Sequence, residues 1–261
     1  MKVISKIIIG LAIVGMGLII VGFAMGGSRD IRTMYDNREL NFSWSPVDYY
    51  DINETYNGIN NLDISVDASS VRIEEYSGTE FKVEGDVRKS IKVEKDGDTL
   101  EVKEEHSWTI FGFNLWDDSS LTIYVPEGTE FDTVKLDVDA GSITVVGTLS
   151  ADEIEADVNA GKIILDNVIC KNGEFDVDAG KIDIDLLDSQ NSNFNVNAGK
   201  ISATVIGEDS DYSYNAKCDA GNLTIGNYNA GGLSSSDSGG HGSRYIEADV
   251  DAGSININMK G

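Results

Sequence analysis

The chain repeats itself. A ten-residue unit built on Asp-Ala-Gly or Asn-Ala-Gly occurs six times: LDVDAGSITV from Leu136, ADVNAGKIIL from Ala156, FDVDAGKIDI from Phe175, FNVNAGKISA from Phe194, AKCDAGNLTI from Ala216 and ADVDAGSINI from Ala248. Its glycine stands at Gly141, Gly161, Gly180, Gly199, Gly221 and Gly253, at spacings of 20, 19, 19, 22 and 32 residues. A degenerate copy, SVDASSVRI from Ser65, carries Ser69 at the glycine position. A near-fixed period of this size argues for like units that stack, each burying its apolar face against its neighbours.

Within a copy the residues alternate. Leu136, Val138, Ala140, Ile143 and Val145 fall on one side; Asp137, Asp139, Ser142 and Thr144 fall on the other. Period two means strands with one buried face, and no helix brings i and i+2 together. The repeat glycine breaks the alternation by one residue. It therefore marks a turn between two strands of one rung, where a glycine can take φ > 0 without steric cost. The predicted fold is all-β: a right-handed parallel β-solenoid, or β-helix, of 19–20 residues per rung over residues 59–261. Rungs stack about 4.8 Å apart, with right-handed crossovers. Residues 59–135 read as the start or cap of the stack, with antiparallel pairs and a hairpin turn at Lys95-Asp96-Gly97-Asp98; residues 136–261 hold the repeats. The Gly/Ser-rich stretch between the fifth and sixth copies predicts a mobile loop at 231–243.

Ahead of the repeats lies a different solvent. Residues 7–28 carry no charge. Twenty-two residues at about 1.5 Å each span about 33 Å, enough for a hydrocarbon core of roughly 30 Å. Lys2 and Lys6 orient the N-terminus to the cytoplasm. Residues 1–27 are thus predicted to be a single-pass transmembrane helix in the cell membrane, residues 28–58 a juxtamembrane stalk, and the remainder an extracytoplasmic domain. Ala24-Met25-Gly26 also fits a cleavage site, which would make the segment a signal peptide.

Charge narrows the partners. With 20 Lys+Arg against 45 Asp+Glu the formal net charge is −25, which excludes nucleic acid, whose affinity comes from neutralising phosphates. Stacking turns each outward position into a ladder. Two before the glycine stand Asp139, Asn159, Asp178, Asn197, Asp219 and Asp251; four before it stand Asp137, Asp157, Asp176, Asn195, Lys217 and Asp249. One after it stand Ser142, Lys162, Lys181, Lys200, Asn222 and Ser254. Asp or Asn before a turn bonds its own backbone two residues on. The sharper reading is calcium, held by oxygens from Asp137, Asp139, Asp157, Asp176 and Asp178; no other cofactor is expected. Acids that recur in every rung form a scaffold pattern. A catalytic site breaks a repeat, and with only His106 and His241 and no nucleophile motif no catalytic residue is expected. Cys170 and Cys218 sit about two and a half rungs apart, so no disulfide is expected. The cluster Trp108, Phe111, Phe113 and Trp116 reads as a cap over the first rung, or as a contact for a partner or the bilayer.

The succession of IxxLDISVDASSVRI, GDTLEVKEE, SSLTIYVPEGTEF and the D-A-G or N-A-G units, behind one short anchor ending in Gly26-Gly27, resembles the putative-adhesin domains of unknown function on membrane-anchored surface proteins of Gram-positive bacteria, a family that includes Lia-type envelope-stress proteins. The resemblance implies a β-solenoid ectodomain and an adhesion or envelope role, and carries over no catalytic residue. The expected function is non-enzymatic: an adhesin-like binding or structural role at the envelope. The alternatives are an envelope-stress sensor that captures cationic antimicrobial peptides and, third, an enzyme acting on a surface polysaccharide. Expected partners are the membrane, through the N-terminal helix, and an envelope protein, a glycan or a cationic peptide.

Overall fold

The computed structural model describes residues 49–104 and 120–261. The predicted membrane helix and Trp108, Phe111, Phe113 and Trp116 lie outside them. Among the described residues no helix is long and apolar enough to cross a membrane.

The protein is all-β, as the alternation requires. Its strands are β1 (Tyr49–Tyr56), β2 (Asn61–Val66), β3 (Ser70–Tyr76), β4 (Phe81–Arg88), β5 (Ile91–Asp96), β6 (Thr99–Glu104), β7 (Ser120–Pro126) and β8 (Glu130–Val138). They continue with β9 (Ser142–Val158), β10 (Lys162–Val177), β11 (Lys181–Val196), β12 (Lys200–Ile206), β13 (Tyr212–Ile225), β14 (Tyr228–Gly240), β15 (Arg244–Val250) and β16 (Ser254–Lys260). β9 to β11 are long because each carries the chain from one repeat corner to the next.

Equivalent positions of the repeats pair in parallel. Val158 lies against Val138 and Val177, and Val196 against Val177 and Val250. The inward columns are therefore near-uniform. One is Val66, Val138, Val158, Val177, Val196, Val250 and Cys218; another is Ile143, Ile163, Ile182, Ile201, Ile255 and Leu223, all buried. Phe175 and Phe194 stack at 5.2 Å between centroids. Cys218 is a core residue and neither cysteine is bonded; burial pushes the Cys170 thiol up to about 12.

The spacing of 20 between the first two repeat glycines has a local cause. Val146 and Gly147 together oppose Asp166, a bulge in which Gly147 takes φ +94. The repeat glycines behave otherwise and do not use that freedom: none of the six has positive φ. They are required by close approach. A Cβ on Gly161 would sit 2.4 Å from Gly141 O, and one on Gly180 2.3 Å from Gly161 O. The corners stack backbone on backbone, with Ala160 N donating to Asp139 O at 2.7 Å and Ala179 N to Asn159 O at 2.7 Å.

The order of the stack departs from the order of the sequence at both ends. The sixth repeat, β15 and β16, inserts between the fourth and the fifth. β15 pairs with β11 on one side and β13 on the other; β16 pairs with β12 and β13. At the start, β2 is held between β6 and β8, and β3 between β7 and β9. An open succession of rungs, as a simple solenoid has, is thus not what forms. Because β11 and β13 each bend and lend one half to either side, the ladder closes a ring of five parallel strands, β11, β12, β16, β13 and β15, with further strands outside it.

Antiparallel strands cover both ends. β4 lies on β7, β1 on β4 and β5 on β6, with the hairpin turn at Gly97 taking φ +62. β1 had been expected in the stalk. At the other end the Gly/Ser-rich stretch, expected as a mobile loop, is β14, antiparallel to β13 from Ser213↔Gly240 to Ile225↔Tyr228. Beyond the buried Ala230, its serines and glycines serve chiefly through main-chain bonding to β13.

Candidate functional site

Stacking aligns outward residues into columns, and two of these line a groove of about 400 Å³. Eight residues before the repeat glycine the column reads Thr133, Glu153, Asn172, Asn191 and Tyr245. Six before it the column reads Lys135, Glu155, Glu174, Asn193 and Glu247. Ile154, Gly173 and Ser192 lie between the two columns. Gly173 is fixed by the core, since a Cβ there would come within 2.7 Å of the Phe175 ring.

The groove is acidic and rich in hydrogen-bonding groups. Lys135 Nζ reaches Glu155 Oε2 at 2.6 Å, which leaves Glu153, Glu174 and Glu247 as its other carboxylates. Asn191 donates to Asn172 Oδ1 at 2.9 Å and so ties two rungs together. Asn193 Oδ1 is sheltered and has no partner among the described residues. Tyr245 is an exposed aromatic at one end. Burial, then the charges of Asp176 and Glu155, hold the Glu174 carboxyl above the usual carboxylate range, against a downward pull from Lys135.

The five proposed calcium residues separate into two columns. Asp137, Asp157 and Asp176 are register partners on β8, β9 and β10, flanking the groove's inner column. Burial raises all three, with neighbouring carboxylates adding to it, and Asp157 rises to about 6. Asp139 and Asp178 stand on the corner column with Asn159 between them in the stack. There Asn159 donates to Asp139 Oδ1 at 2.5 Å and Asn197 donates to Asp178 Oδ1, bonds that run from rung to rung. Asn195 does the same for Asp176 at 2.6 Å. Among the described residues no group of three or more His, Cys, Asp or Glu is arranged to hold a metal ion.

The groove residues escaped the sequence reading, though their signal was present. They recur at fixed offsets from the same glycines, but the offsets fall beyond the ten residues in which the repeat is obvious to the eye.

The family model described as Toastrack DUF4097 matches residues 59–206. Among solved structures the chain is similar to a "putative cell adhesion protein" of Clostridium sporogenes, at 13% identity and a TM-score of 0.40 over 82% of this chain and 100% of that one. It is similar to a "putative adhesin" of Bacteroides fragilis at 12% identity and 0.41, over 80% and 97%. It is also similar to a "putative lipid binding protein" of Parabacteroides distasonis at 14% identity and 0.38, over 82% and 97%. No curated protein matches it.

Proposed function

The chain belongs to the Toastrack DUF4097 family, and on that premise we propose that it is a non-enzymatic, adhesin-like binding protein displayed at the outer face of a bacterial envelope. Residues 7–28 anchor it, and the parallel stack is in essence a right-handed β-solenoid whose two ends are clasped. The observation that carries the binding role is the groove, where five adjacent strands each present two outward side chains to one concave surface. A row of amides, carboxylates and one tyrosine suits a ligand that offers many hydrogen-bond donors, such as a glycan hydroxyl array. Repetition of the acids from rung to rung, with no unique convergent constellation among the described residues, supports binding rather than turnover.

The second reading, capture of cationic peptides, is favoured by the unpaired carboxylates Glu153 and Glu174 in the same groove. One experiment separates the two. The full chain and its Asn172→Ala/Asn191→Ala and Glu153→Gln/Glu174→Gln variants are titrated with envelope oligosaccharides and with a short Lys-rich peptide. Glycan binding lost in the amide variant and retained in the carboxylate variant is the expected outcome. Peptide binding that weakens with salt and vanishes in the carboxylate variant would establish the second reading instead. Binding of neither probe would refute the groove as the site.

A further inference from the structure

The column one residue after the repeat glycine contains no acid. In stack order it reads Ser70, Ser142, Lys162, Lys181, Lys200, Ser254 and Asn222, each the register partner of the next. Every member can donate a hydrogen bond, and three consecutive members are cationic. The order matters: insertion of β16 sets Ser254, not Asn222, beside Lys200. Adjacent strands lie about 4.8 Å apart, so three ammonium groups fall within about 10 Å along a line. Like charges on directly opposed strands repel. Only Lys181 is relieved, by Asp183 at 2.5 Å; neither Lys162 nor Lys200 has an ion-pair partner among the described residues, and all three lysines are exposed.

The surroundings keep this stripe narrow. On one side is the corner column, where Asp139 and Asp178 are engaged by Asn159 and Asn197. On the other are Thr144, Ile164, Asp183 and Ser202, with Asp185 further along its strand. The protein as a whole carries −25, but a Debye length of about 8 Å at physiological salt leaves the field at the stripe to its own residues.

We propose that the Lys162, Lys181 and Lys200 column is a docking site for a linear polyanion carrying a phosphate in each repeat, laid along the stack axis and across the strands. A single file of cations with neutral donors continuing it at both ends matches a chain. A membrane surface is a plane and calls for cations spread over a face, which the flanking acids prevent. The site is separate from the groove, which the residues before the glycine build, and it takes ligand of the opposite charge.

The test is fluorescence anisotropy of labelled long-chain inorganic polyphosphate with the full chain at several salt concentrations. At a loss of about 0.7 in the logarithmic salt slope per phosphate neutralised, as for single-stranded polyanions, three lysines give a slope of about −2. Lys162→Ser/Lys200→Ser borrows the residue of the same column and breaks no ion pair. It is expected to bind at least about tenfold more weakly, with the slope falling to about −0.7 and the melting temperature held or raised. Lys171→Ser, at an exposed pair with Asp152 elsewhere, is expected to bind as the parent does. No binding by the parent at about 0.1 M salt, or equal binding by the double variant, would overturn the proposal. Tighter binding to phosphatidylglycerol vesicles than to polyphosphate, lost in the double variant, would also overturn it and assign the stripe to a lipid surface.

Discussion

Asp157 shows what a ladder costs at the scale of one residue. Its carboxylate is half-buried and faces Asp137 on β8 and Asp176 and Glu174 on β10, with Glu155 on its own strand; the nearby cation Lys135 is taken by Glu155. These raise its pKa to about 6, above the unfolded value of about 3.9. The folded state therefore binds more protons between about pH 4 and 6. The contribution to stability is full below the unfolded pKa, is lost as pH rises through 6, and stays lost at neutrality. Screening at a half-exposed site reduces the effect to the order of 1 kcal/mol. Asp157→Asn is expected to raise the melting temperature at pH 7 and to flatten its fall between pH 4 and 6, read by thermal melts across that range. Asn195, two rungs on in the same column, marks how the protein ends the run, with an amide in place of a fourth stacked charge beside Asp176. The repeat glycine teaches a different lesson. Its place after Asp-Ala or Asn-Ala reads as a turn, yet Gly221 lies inside β13, and a glycine serves positive φ and close backbone approach alike. Only the 2.4 Å between an added Cβ on Gly161 and the carbonyl of Gly141 decides between them.

At the scale of elements, the corner of the first repeat copy lacks what every later corner has. In the later corners the N–H groups donate to carbonyls of the rung below, as Asp139 N does to Val66 O at 2.9 Å. At the first, the carboxylate of Glu104, at the end of β6, accepts from Asp67 N at 2.9 Å, Ala68 N at 3.0 Å and Ser69 N at 3.1 Å. A side chain thus takes the role that main-chain carbonyls play at the later corners. Glu104→Ala leaves the part-buried Asp67 and Ser69 donors and the exposed Ala68 donor without it and is expected to cost about 1–3 kcal/mol, while Glu104→Gln, which keeps an acceptor, loses less; denaturant unfolding of both variants measures the difference. The strands themselves were legible from period-two alternation, and the antiparallel hairpin from Gly97. β14 was not. Its residues read as a loop because Gly and Ser bury nothing, and the reason for the strand, the free edge of β13, lies in another segment.

At the scale of the molecule, the repeat period was legible and the stacking order was not. Five of the six copies carry the same inward valine and isoleucine, and the fifth has Cys218 and Leu223 in their place, so these columns alone do not set the order. What decides the order is contact outside the repeat. Arg244, leading into β15, donates to Ile206 O at 3.1 Å and to Tyr212 OH at 3.3 Å and pairs with Asp188 at 2.8 Å, and Gly242 packs on the backbone of Asp211 and Tyr212. Deletion of residues 244–261 is expected to leave β12 and β13 without a shared neighbour. Amide exchange should then accelerate across 200–225 while 133–177 stays protected; unchanged protection at 200–225 would show that the two rungs close up directly. The inserted rung also bears on mechanical load. A strand at the rim of a sheet peels away one bond at a time when pulled. β16 is bonded on both flanks, so tension applied at Lys260 has to shear it out from between β12 and β13, rupturing two ladders together.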